Sequence, residues 1–376
     1  MSKAIAKARY IMIGGFLGAG KTTAVLKLAE HLRRNGQNVG LITNDQSFGL
    51  VDTAMLSSHG FSVEEITGGC FCCKFNSLVE ASHKLSQQAR PDVFIAEPVG
   101  SCTDLLATVS YPLRRIYGDD FSIAPLSVLI DPLRALRILD LEEGRAFSDK
   151  VLYVYGKQLE EAEVIVINKC DLLSPERLRT LEQALGERYP QAEVFAVSAR
   201  EGVGLEAWFE RIINDEAQSS MAMEVDYDLY AEGEALLGWM NCTLQVSSSE
   251  EVDGNALLIQ LASDIQRQLR AVNLEIAHLK MTLTPDEGLN EIAVLNLVHN
   301  EDHVELSHSL QGSLQSGQLI INLRAEGDPE ILSEVTNQVI SNCAEETFVQ
   351  LNVEHTEHFR PGRPVPTHRL SSPLAA

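Results

Sequence analysis

Near the start of the chain, Gly15-Phe16-Leu17-Gly18-Ala19-Gly20-Lys21-Thr22 separates an apolar strand from an amphipathic helix. No other stretch restricts the fold so strongly. Tyr10–Gly14 alternates toward a buried strand, and Thr22–Arg34 places Val25, Leu28, Ala29 and Leu32 on one helical face. The turn between them has the spacing G-x-x-x-x-G-K-[ST], which needs this strand and this helix on either side. Gly15, Gly18 and Gly20 let the backbone curl so that its N–H groups, including that of Ala19, point inward at an anion. The free N–H groups and dipole at the helix start add to that field. Lys21 is placed to reach terminal phosphates, and the Thr22 hydroxyl to ligate Mg2+.

The rest of the first two hundred residues repeats the alternation. Val39–Thr43, Val93–Ala96, Leu126–Ile130, Val164–Ile167 and Val194–Val197 read as short buried strands, with helices such as Pro175–Arg188 and Leu205–Ile213 among them. Apolar strands separated by helices predict an α/β fold, here a P-loop NTPase domain with a mostly parallel sheet covered on both faces, over residues 1–216. An acidic, aperiodic stretch from Glu216 to Asp228 marks the boundary. Beyond it, strands at Trp239–Val246, Ile276–Leu283, Glu291–Val298, Leu319–Arg324 and Thr347–Val353 and helices at Asn255–Leu269 and Pro329–Ile340 predict a smaller α+β domain over residues 229–358. Residues 359–376 carry Pro361, Pro364, Pro366 and Pro373 without apolar periodicity, and are expected to be extended or disordered.

Asn168-Lys169-Cys170-Asp171 follows the strand Val164–Ile167, at the carboxyl edge where open sheets bind ligands. Asp171 can accept from the N1–H and exocyclic amine of guanine, a pair that adenine lacks, and Asn168 can tie the loop down. Ser198 and Ala199, after the next strand, stand where a second base-contacting loop would lie. Glu97, ending the strand Val93–Ala96, is placed to orient a water or bind the Mg2+ shell, and Gly100 lets the backbone approach phosphate.

Gly68-Gly69-Cys70-Phe71-Cys72-Cys73 gathers three of the seven cysteines within four positions. Three thiolates form a soft site suited to zinc or cuprous copper, with one further ligand or water to complete a tetrahedron. Core filling by small cysteines and thiol redox chemistry are the other readings of the same residues. Cys102 is a candidate fourth sulfur, because its loop also opens at the sheet edge; its alternative is packing against Leu105 and Leu106. Cys170, Cys242 and Cys343 read as structural.

A formal net charge of -23 excludes sequence-independent nucleic-acid binding, which needs a cationic surface. Neither a secretory leader nor an apolar run long enough to span a bilayer is legible, so the expected location is cytoplasmic, with no membrane partner.

In their order, the motifs at Gly14–Thr23, Gly69–Cys73, Glu97–Gly100 and Asn168–Asp171 resemble the CobW-type branch of the CobW/HypB/UreG GTPases, which deliver or insert metal ions in other proteins. The resemblance covers about the first two hundred residues. It implies GTP held with Mg2+ by the phosphate loop through Thr23, and a hydrolytic group of Lys21, Glu97 and Asp45. It also implies a cysteine loop that binds metal, with Asp52 on the metal side, and coupling between metal binding and GTP hydrolysis. The implied cargo is Zn2+ or another thiophilic ion such as Co2+. The implied partner is a client metalloprotein or metalloenzyme, and a homodimer is compatible with the reading. The chain departs from the family pattern at Phe48, where a second Glu is usual, and at Ser101-Cys102-Thr103-Asp104, where Ala and Pro are commoner. It also lacks a His-rich tract; His299/His303 and His355/His358 are only scattered pairs.

Three functions fit these residues: a GTP-hydrolysing metallochaperone, a regulatory or assembly GTPase that activates a metallo- or corrinoid enzyme without delivering metal, and a P-loop kinase of a small molecule. Asp171 speaks against the kinase by favouring guanine.

Overall fold

The computed structural model describes residues 7–45, 51–144, 147–217, 222–287, 291–301, 303–347 and 349–373. Contacts divide them into two compact units. One gathers the described residues of 1–48, 59–230 and 364–376, and the other those of 49–58 and 231–363.

The elements begin with β1 (Ala8–Gly15), α1 (Lys21–Arg34), β2 (Val39–Asn44), α2 (Val51–Ser58), which groups with the second unit, β3 (Ser62–Ile66), α3 (Phe75–Gln88) and β4 (Val93–Glu97). A π-helical turn at Leu106–Ser110 leads into α4 (Tyr111–Tyr117). There follow β5 (Phe121–Ile123), β6 (Ser127–Ile130), α5 (Pro132–Ile138), α6 (Asp149–Glu161), β7 (Val164–Ile167), α7 (Pro175–Arg188), β8 (Glu193–Ala196) and α8 (Leu205–Asn214). The sheet of the first unit runs β3-β2-β4-β1-β6-β7-β8, with β5 beside β1. Every pairing among the described strands is parallel. The central strands are buried on both faces, as covering helices require: β4, β6 and β7 have no exposed residue. Because the strands are parallel, the segments after Gly15, Asn44, Glu97, Ile130, Ile167 and Ala196 all leave the sheet at one edge.

Sequence periodicity does not reveal β3. It forms the edge of the sheet and carries Glu64 and Glu65, charges that protect an open edge from pairing with another chain.

After α9 (Tyr227–Leu236), the second unit is built from β9 (Leu237–Val252), α10 (Gly254–Ala271), β10 (Glu275–Pro285), β11 (Ala293–Leu297), β12 (Glu305–His308), β13 (Leu314–Glu326), α11 (Pro329–Thr347) and β14 (Gln350–Phe359). Its sheet is antiparallel, in the order β12-β11-β10-β13-β9-β14. The apolar faces of α10 and α11 close its core, with Leu258, Leu261, Ile265, Leu332 and Val339 among strand residues such as Leu244, Met281 and Ile321. Several boundaries differ from the sequence expectation, and β12 was not expected. The helix expected over Pro329–Ile340 continues to Thr347, which was expected to open the last strand. Cys343 is the last buried residue of that helix, so its final exposed turn carries no apolar period. Strand β9 continues through Ser247-Ser248-Ser249-Glu250 to Val252, with Ser247 paired to Ser316 and Val252 to Leu314 across a register shift at the start of β13.

Candidate functional site

Lys21 and Thr22 open α1 directly after the glycine-rich turn. The Lys21 ammonium is buried and donates to the carbonyls of Gly15 at 2.9 Å and Phe16 at 3.3 Å, so it lies folded over the loop. The Thr22 hydroxyl donates to Glu97 Oε1 at 3.0 Å, joining the phosphate turn to the end of β4. Thr23 follows on the same helix. Gly100 sits so near the turn that a Cβ there would lie 2.8 Å from Leu17 Cδ2 and 3.1 Å from its backbone nitrogen. This brings the segment after Glu97 against the phosphate loop.

Asn168 fastens three loops. Its Nδ2 donates to Ala19 O at 2.8 Å, and its Oδ1 accepts from Ala199 N at 3.0 Å. Gly20, at φ 86°, could carry no side chain, since a Cβ would meet Asn168 Nδ2 at 2.3 Å. Lys169 donates to Gly18 O at 2.9 Å and pairs with Asp131 at 2.8 Å. Asp171 is exposed in a 3-10 turn at Cys170–Leu172, and Ser198 is buried in the neighbouring loop. Asp45 follows β2 and donates its backbone N–H to Ile66 O. The side chain of Asp52 and residues 46–50, including Phe48, lie outside the described residues.

The cysteine loop lies between β3 and α3. Among the described residues, the sulfurs of Cys70, Cys72 and Cys73 all lie within 4.8 Å of one another. The separations are 2.8 Å for Cys70–Cys72, 3.3 Å for Cys70–Cys73 and 3.7 Å for Cys72–Cys73. A tetrahedral zinc with bonds of about 2.3 Å would hold sulfurs about 3.8 Å apart, so an ion fits after the closest pair opens by about 1 Å. Cys102 reaches the group through Cys70. Hydrogen bonding with Cys102, and then with Cys72 and Cys73, holds Cys70 well below the ordinary thiol range. The neighbouring thiols shift the other way: Cys72 is pushed well above that range, and Cys73 to about 11, in both cases chiefly through hydrogen bonding with Cys70.

Residues 9–196 match the nucleotide-binding domain of CobW, HypB and UreG proteins. The chain belongs to the CobW/HypB/UreG family. It is 31% identical over 175 residues to the zinc chaperone YeiR of Escherichia coli (strain K12), covering 46% of this chain and 49% of that one. It is 28% identical over 198 residues to the zinc chaperone CobW of a Sinorhizobium species, covering 47% and 55%. With the zinc-regulated GTPase metalloprotein activator 1 of Dictyostelium discoideum it shares 26% identity over 212 residues, 49% and 44% of the two chains. The chain thus spans about half the length of the relatives it matches. Among solved structures, HypB from Helicobacter pylori in complex with nickel aligns over 57% of this chain and 91% of its own, at 17% identity and a TM-score of 0.41.

Asn44, at the end of β2, donates to Ile66 O at 3.0 Å and Gly69 O at 2.8 Å and accepts from Phe71 N at 2.9 Å, which fixes the turn into the cysteines. Several other residues that build the site in this CobW/HypB/UreG protein escape motif reading. Asp131 caps α5 and orients Lys169. Asp-Pro directly after a strand is a helix-start signal that could have marked it. Arg134 donates to Leu17 O at 3.0 Å from between the rings of Phe16 and Phe147. On α6, Gln158 donates to Gly100 O and Cys102 O, and Glu161 accepts from Thr103 and Leu106, so one helix grips the whole segment after Glu97. Nothing in their local sequence signals these long-range partners. No helix among the described residues is long and apolar enough to cross a membrane.

Proposed function

We propose that this nucleotide-binding, metallochaperone-type protein is a GTPase that couples its nucleotide state to binding and transfer of a thiophilic metal ion, zinc or cobalt, to a client metalloprotein. The observation that carries the proposal is the three-sulfur cluster, joined through Cys102 to the loop that also holds Glu97 and Gly100. Lys21 would neutralise terminal phosphates, Thr22 would ligate Mg2+, and Asp171 would read guanine. Magnesium would supply charge neutralisation between the phosphates. Glu97, already bonded to Thr22, is placed to orient the attacking water, with Asp45 on the neighbouring strand end. Metal is the cargo: with three or four sulfurs the site takes a soft ion, and coupling requires that its affinity differ between nucleotide states. The similarity to YeiR and CobW, both zinc chaperones, supports the choice of cargo.

Anaerobic titration of Zn2+ and Co2+ into the full chain with GDP and with a non-hydrolysable GTP analogue tests this. Affinities differing by about fivefold or more are expected, the usual lower range of coupling between sites. Equal affinities in both states would overturn the coupling.

A further inference from the structure

The segment Pro364–Leu370 has no regular secondary structure, yet it is hydrogen-bonded along its length to the cysteine loop and to the segment that follows Glu97. Prolines at 364 and 366 have no N–H, so the backbone donors of residues 364–367 are the amides of Val365 and Thr367. Both face the cysteines: Val365 N–H donates to Cys73 Sγ at 3.2 Å, and Thr367 N–H to Cys72 O at 2.8 Å. The Thr367 hydroxyl donates to Cys73 O at 3.1 Å. His368 stands edge-on to Phe75, the first residue of α3, with ring centroids 5.0 Å apart. Leu370 N–H then reaches Ala107 O at 2.9 Å.

The anchor is polar and buried on one side. Arg369 Nε donates to Asp104 Oδ2 at 2.7 Å, and the Asp104 side chain is 1% exposed. Tyr227 donates to the same oxygen at 2.6 Å. Asp104 lies four residues after Gly100 and two after Cys102, on the segment gripped by Gln158 and Glu161. The segment therefore touches a metal-ligating sulfur at one end, and at the other the loop that abuts the phosphate turn.

We propose that Pro364–Leu370 is the outer hydrogen-bond shell of the cysteine site, held by the Arg369–Asp104 pair, and that it sets how fast metal leaves and how strongly the nucleotide loop controls that step. An amide donating to a thiolate disperses its charge, and partners of this kind commonly change metal affinity by about 10–100-fold. The prolines limit the unbound conformations, so little entropy opposes docking. Movement of the Gly100–Asp104 segment would pull the strap from Cys73, which is only partly buried, while Cys70 and Cys72 remain covered. This inference rests on the metal reading of the cysteine loop given above.

The test uses the full chain loaded with one equivalent of Zn2+ or Co2+. Release to a chromophoric chelator is timed in the GDP and GTP-analogue states. Arg369→Ala is expected to accelerate release by about tenfold or more and to shrink the difference between nucleotide states to within about twofold. Val365→Pro removes one N–H while keeping an extended backbone. It is expected to shift the sulfur-to-cobalt charge-transfer band, a signature that a merely structural role would leave in place. Wild-type protein that binds both metals, with both variants matching its release rate and spectrum, would overturn the strap alone. Wild-type protein that takes up neither metal at its cysteines would remove the metal reading and the outer shell together.

Discussion

Asn168 and Asn44 each end a parallel strand, and each uses both sides of one amide to fasten other loops. A side chain with a donor and an acceptor can satisfy two loops whose own backbone groups would otherwise be buried without partners, at a cost of about 1–3 kcal/mol each. Lys169 adds a second tie by bridging Gly18 to Asp131, so the phosphate turn is braced from the Asn168–Asp171 loop. Asp171, by contrast, is exposed and stands beside this bracing. Its replacement should therefore alter base choice and leave the frame intact. Asp171→Asn is expected to lower preference for GTP over xanthosine triphosphate by about tenfold or more, the equivalent of one charged hydrogen bond. Competition binding of GTP, xanthosine triphosphate and ATP measures this, and unchanged selectivity would mean that another group reads the base.

Helix α6 is the element on which the loop after Glu97 rests. Glu161, at its end, is buried, and burial first of all raises its carboxyl to about 8, opposed by the hydrogen bonds from Leu106 and Thr103 and reinforced by the charge of Asp104. The folded chain thus holds this proton from its ordinary value of 4.5 up to about 8, while the unfolded chain has released it. More protons bound in the native state means that stability from this group is intact below about 4.5 and falls as pH rises to about 8. Glu161→Gln keeps a neutral side chain at every pH. Its stability relative to wild type should rise through that window by up to about 1.4 kcal/mol per pH unit. Urea denaturation of both proteins between pH 5 and pH 9 measures the difference, and a flat difference would show that Glu161 is ionised in the fold.

Across the whole molecule, 53 acidic residues face 30 lysines and arginines, and the surface carries most of that imbalance. Such a chain repels itself, and the repulsion is relieved by ions. Raising sodium chloride from about 0.01 M to about 0.15 M shortens the screening length from about 30 Å to about 8 Å. The melting temperature should rise over that range, as calorimetry would show. A fall would mean that specific surface pairs, such as Arg177–Glu142, outweigh the net charge.

The sequence by itself determined the parallel α/β frame, the phosphate turn and the clustering of three cysteines, because each depends on residues adjacent in the chain. Periodicity and fixed spacing are local, so Gly15–Thr22 and Cys70–Cys73 are legible without a partner in view. Only the tertiary structure decided which distant groups complete them. Asn44 reaches Gly69, Gln158 reaches Gly100, and Val365 reaches Cys73 across 292 positions. The run of prolines read as an aperiodic tail, since an extended segment that borrows its hydrogen bonds from another loop has no period of its own. Its donors and acceptors are satisfied only after the chain has folded back on itself, and no local pattern records where that partner will be.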